Sequence, residues 1–121
     1  MNPDESQMMS NALRLINNNF NIYEFDGTTS GILNSLVLTW PSLLNYDVTF
    51  LSTRLSAIIL VSLILYLTYK IIRHEIDLTK SIFLISPLVL FFALTKDPDF
   101  IHYSSELVSS FLLVLSYWIL I

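Results

Sequence analysis

Residues 55–72 read LSAIILVSLILYLTYKII, with no charge before Lys70. A bilayer's ~30 Å hydrocarbon core takes about 20 apolar residues of helix, so this stretch reads as a membrane-crossing helix. The run begins at Phe50 and is followed by a charged link, residues 73–80. A second apolar run, residues 81–94, contains Pro87. It is short for a span unless Leu78 and Thr79 join it, and Pro87 is tolerable if Ser and neighbouring helices satisfy the freed carbonyl. A second charged link, residues 95–99, leads to a third run, residues 100–121, long enough to cross.

Hydrophobic residues make up 54% of the 121-residue chain and charged residues only 13%. Soluble domains usually have about 25% charged residues. Such a chain is not expected to bury its apolar surface in a core of its own, so lipid or other membrane protein subunits are the expected cover. Ten acids against six bases give a net charge of −4 and no basic face, so nucleic acid is not an expected partner. The absence of cysteine excludes disulfides, thiol chemistry and cysteine-ligated metals. The opening Asn2-Pro3-Asp4-Glu5 does not resemble a cleavable signal peptide or an Arg-rich transit peptide.

Residues 1–49 form a different, polar-leaning part. Asn2 is a candidate helix cap, Pro3 suits the first helical position, and Glu5 has the spacing to complete a capping box. Met9, Ala12, Leu13, Ile16 and Phe20 recur at helical spacing, and Asn17-Asn18-Asn19 ends the helix. It is expected to lie on the membrane or dock on a partner. Residues 22–30 read as a loop around Asp26-Gly27. Residues 31–40 are an apolar stretch stopped by Pro41. At ten residues the stretch is too short to span, and it reads as an interfacial or re-entrant segment, or as a helix buried against a partner. The expected fold is thus an all-α membrane protein in two parts. Residues 1–49 give an amphipathic helix and an interfacial segment; residues 50–121 give about three transmembrane helices, the second short enough to be re-entrant instead.

Orientation follows from charge. Lys70, Arg73 and Lys80 surround the first link, whereas the second has Lys96 alone beside Asp97 and Asp99. The positive-inside rule puts the first link, and with it the C-terminus, on the cytosolic or matrix side. Tyr66, Tyr69, Tyr117 and Trp118 then fall near the inner interface, and Trp40, Tyr46 and Tyr103 near the outer. Trp40, Lys70, Arg73 and Trp118 are the expected interfacial anchors, with Lys70 snorkelling to the headgroups. Arg54 reads as a further anchor at the opposite end. The short runs suit a thin membrane, favouring the mitochondrial inner membrane or the endoplasmic reticulum over a sterol-rich plasma membrane.

Glu106, one turn into the third run with His102 four residues before it, is the sharpest candidate for a proton or ion site. The competing reading is a hydrated interfacial acid favoured by its helix N-terminus. Ser105, Ser109 and Ser116, flanked by Ser110, form a row of small residues suited to close helix packing; Ser52, Ser56, Ala57 and Ser62 repeat the pattern in the first span. His74 and His102 belong to links on opposite faces, roughly 30 Å apart, and cannot share one haem iron within the chain. Only Gly27 and Gly31 are glycine, so no glycine-rich phosphate loop exists, and no catalytic motif is present. No cofactor and no catalytic activity are expected. An acid-containing link before a Ser- and Leu-rich helix resembles the early spans of antiporter-like respiratory complex I subunits, although their mid-membrane Lys–Glu pair is absent. The leading expectation is a structural or accessory subunit of a larger membrane complex, plausibly a respiratory assembly. The alternative is a proton- or ion-handling subunit using Glu106.

Overall fold

The computed structural model describes residues 3–21, 31–95 and 102–121. Asn2, the Asp26-Gly27 turn and residues 96–101, including Lys96, lie outside them. Of the described residues 81% are helical and none is a strand, so the all-α expectation holds. The helices are α1 (Pro3–Asn17), α2 (Ile32–Val37), α3 (Trp40–Leu43), α4 (Phe50–Glu75), α5 (Leu78–Leu94) and α6 (Ser105–Leu120).

The central element is α4. Thr49 and Ser52 start it with a reciprocal capping box: the Ser52 amide donates to Thr49 Oγ1 at 3.3 Å and the Thr49 amide to Ser52 Oγ at 2.9 Å. With 26 residues α4 is ~39 Å long, enough to cross a ~30 Å core. It is the one described helix long and apolar enough to do so. The α5 helix takes in Leu78 and Thr79 and has 17 residues, ~25 Å; α6 has 16, ~24 Å, shorter than the run of residues 100–121. A two-residue link, Ile76-Asp77, folds α5 back along α4. Pro87 withholds the amide that would bond the Phe83 carbonyl, and Ser86 Oγ donates to that oxygen instead at 3.0 Å.

The register of the helices follows from what packs together. Ile58 and Leu65 of α4 line one groove with Ala93 and Val89 of α5, so these two run antiparallel. On α6, Val108 shares a core cluster with Ala57 and Leu60, while Trp118 lies beside Lys70 and His74. The α6 helix is therefore parallel to α4, and Ile121 sits at the α4–α5 link end.

The N-terminal helices cover only the first half of α4. Met8 and Ala12 of α1 and Leu38 after α2 join Ala57, Leu60, Tyr103 and Val108 in one core. The buried residues of α4 are Ser52, Thr53, Ser56, Ala57 and Leu60, with Leu67 alone in the second half. Helix α5 buries only Ser81 and Ile85, and α6 only Val108.

Three sequence expectations need correction. The buried face of α1 is Glu5, Met8, Asn11, Ala12 and Leu15, so of the expected stripe only Ala12 is buried, and Leu13 and Phe20 are exposed. The reason is Glu5. It is fully buried, with Arg54 Nε of α4 donating to its Oε1 at 3.2 Å, and this tie rotates α1. Pro41 does not stop residues 31–40 as a helix would stop. That stretch divides into α2 and α3, and Pro41 occupies the first turn of α3, where no amide is required. Tyr103 is no interfacial aromatic; it is wholly buried. The end of α1 does follow the Asn run: Asn19 takes a left-handed conformation (φ 50°), and the Phe20 and Asn19 amides bond the Leu15 and Ile16 carbonyls at 2.9 and 3.1 Å.

Glu5 Oε2 has no hydrogen-bond partner among the described residues, so the bond to Arg54 is the carboxylate's main compensation for burial. Arg54→Ala is expected to weaken α1 docking by about 1–3 kcal/mol. Amide hydrogen exchange across residues 5–15 should rise while α5 stays as in the parent; unchanged exchange in α1 would contradict the clamp.

Candidate functional site

The polar groups fall in two places, one at each end of α4. At the end where α4 starts, Asn34 sits in an apolar run and holds the entry to α6 twice. Its Nδ2 donates to the Ser105 carbonyl at 3.1 Å, and its own backbone carbonyl accepts from Tyr103 Oη at 2.8 Å. Burial pushes the Tyr103 phenol well above its ordinary pKa, so it stays a hydrogen-bond donor. On the same side, Trp40 Nε1 donates to Ser56 Oγ at 2.9 Å, and Ser56 Oγ donates on to the Ser52 carbonyl at 2.9 Å. Trp40 is thus fixed against α4 about six residues, or ~9 Å of helix rise, from its start. The residue as a whole remains 37% exposed.

Glu106 and His102 are carried by this same end. Glu106 is exposed in the first turn of α6, where its negative charge complements the helix dipole, and Ser105 Oγ donates to its Oε1 at 3.0 Å. His102 lies in a bend before α6, so the four-residue spacing does not put the two on one helical face. This is the geometry of a hydrated helix-start acid.

The serines divide. Ser52, Ser56 and Ala57 are buried against the N-terminal helices. Ser62 is exposed in the groove between α4 and α5. Ser109, Ser110 and Ser116 are exposed, and Ser116 Oγ donates to the carbonyl of Leu113 in its own helix at 2.8 Å. Apart from Ser105, whose carbonyl Asn34 holds, the α6 stripe faces outward, and Leu107, Val108 and Phe111 make the contact with the core.

At the other end, Lys70, Arg73, His74, Trp118 and Ile121 surround a cleft of about 390 Å³ between α4 and α6. Arg73 Nη1 donates to the Ile76 carbonyl at 3.0 Å, closing α4. His74 Nδ1 and Glu75 Oε1 are 3.1 Å apart, and Lys80 Nζ is 3.7 Å from Asp77 Oδ2. Among the described residues no group of three or more His, Cys, Asp or Glu is placed to hold a metal.

Compared with known family models, curated proteins and solved structures, the chain matches none.

Two contributors escape a reading of local pattern: the Glu5–Arg54 pair and the Asn34–Tyr103 tie. A basic residue just inside an apolar run and an amide in the middle of another are the only traces they leave in the sequence. Tyr103→Phe, which removes only the hydroxyl, is expected to cost about 1 kcal/mol. Glu106→Gln should lower the unfolding midpoint in mild detergent by less, since it removes only an exposed helix-start charge. A larger loss from Glu106→Gln than from Tyr103→Phe would reverse this assignment of importance.

Proposed function

We propose that this chain is a small integral-membrane structural or accessory subunit of a larger multi-subunit membrane complex. The observation that carries the reading is the apolar surface left bare. Phe83 is 79% exposed, Leu94 73%, Leu113 69% and Leu120 83%, and only 22% of the most apolar window of α4 is buried. Soluble monomers rarely expose contiguous apolar patches larger than a few hundred Å². A hydrocarbon environment removes the penalty for α5 and for the second halves of α4 and α6.

In this reading α4, α5 and α6 all cross, with the short α5 and α6 reaching the interfaces by local thinning of the bilayer. A thin organelle membrane fits those lengths, and the mitochondrial inner membrane with its respiratory assemblies is the setting we favour. The row of half-buried Ser105 and exposed Ser109 and Ser116 then offers a close-approach face for a helix of another subunit. Met9, Leu13, Ile16 and Phe20, left on the outside of α1, offer a second apolar contact.

Extraction of native membranes in mild detergent, followed by a native gel and mass spectrometry, tests the proposal. The chain is expected to migrate in one large stoichiometric assembly; migration as a free monomer would contradict it. Within that assembly, Glu106→Gln is expected to leave any proton or ion translocation intact. Loss of translocation would favour an ion-handling role for Glu106 instead.

A further inference from the structure

The cleft at the α4–α5 link end has the composition of a headgroup site. Lys70, Arg73 and His74 stand at i, i+3 and i+4 on the last turns of α4, so all three lie on one face. Across from them, Trp118 and Ile121 give α6's wall of the cleft, and Ile71 contributes apolar surface. The acids nearby already have partners: Glu75 Oε1 lies 3.1 Å from His74 Nδ1, and Asp77 Oδ2 lies 3.7 Å from Lys80 Nζ. Lys70 forms no ion pair or hydrogen bond among the described residues. Arg73 uses one nitrogen on the Ile76 carbonyl and keeps its other donors.

We infer that this cleft binds the headgroup of an anionic phospholipid, Lys70 and Arg73 holding the phosphate and Trp118 marking headgroup depth. The inference rests on the membrane-crossing reading of α4. Positive charge between helix ends, beside an indole and an apolar wall, matches a ligand that is anionic at one end and acyl at the other. A free phosphate would use the charge but leave Trp118, Ile71 and Ile121 unused.

The test reconstitutes the full chain into vesicles of phosphatidylcholine mixed with phosphatidylglycerol. Retained lipids are then read by native mass spectrometry after gentle extraction. Alkaline carbonate washing checks insertion separately, and circular dichroism checks helix content. The parent chain is expected to retain phosphatidylglycerol up to roughly thirtyfold over its share in the vesicle, given two basic groups at the surface. K70Q/R73Q should remain inserted and helical but lose the enrichment; K70Q alone should lose part of it, whereas K80Q, the same single-charge change outside the cleft, should keep it all. Millimolar inorganic phosphate should not displace the lipid. Insertion without enrichment, equal loss in K80Q, or displacement by phosphate would each overturn the site and leave the membrane reading standing. Loss of the chain in the carbonate wash would overturn both.

Discussion

Everything in this structure turns on α4 carrying more apolar length than its own chain covers. The first half of the helix is small and polar on its buried side (Ser52, Thr53, Ser56, Ala57), which lets α1, α2 and the start of α6 come close. The second half is flanked only by α5 and the end of α6, and both leave most of their large apolar side chains outward. A soluble core helix is enclosed along its length; here enclosure thins out past Leu60, with Leu67 alone buried beyond it. The polar ties sit on the enclosed half, where the Glu5–Arg54, Trp40–Ser56 and Tyr103–Asn34 bonds join segments far apart in sequence. At the opposite end the described polar bonds are short-range, among residues 73–81. The molecule reads as a packed cap on one end of an unclothed helical hairpin plus one helix.

How much of this was legible in the sequence depends on the range of the interaction concerned. The existence of α4 and α5 could be read because apolar runs and charged links act locally, although both helices extend into the link of residues 73–80. The repair of Pro87 by Ser86 is a neighbour effect of the same kind. The existence of α1 was legible for that reason, but its orientation was not. The stripe of Met9, Leu13 and Ile16 is more apolar than the face actually buried, yet Glu5 reaches an arginine 49 residues away and takes Met8, Ala12 and Leu15 inward with it. An ion pair between distant segments, one partner buried and the other half exposed, leaves no periodic signal. Tyr103 was misplaced likewise, since nothing local says that its hydroxyl has a carbonyl waiting on α2.

The serines carry a related lesson about the candidate sites. Small hydroxyl residues at helical spacing occur on both α4 and α6, and pattern alone gave them one role. In α4 they are covered, and Ser56 takes a hydrogen bond from the Trp40 indole. In α6 they face outward and Ser116 bonds its own helix. What separates them is the presence of the α1–α2 cap on only one side of the bundle. For Glu106, placement in an exposed first turn beside Ser105 gives the charge a favourable setting without any buried relay.

The most direct measurement of the central claim is sidedness. The chain contains no cysteine, so single thiols can be introduced without background. Tyr46→Cys, Asp77→Cys and Ile121→Cys would each be probed in sealed, oriented vesicles with a membrane-impermeant maleimide. Three crossings with α6 parallel to α4 predict that Asp77→Cys and Ile121→Cys react from one side and Tyr46→Cys from the other. If Ile121→Cys reacts from the side of Tyr46→Cys, or all three react from the same side, the account is contradicted.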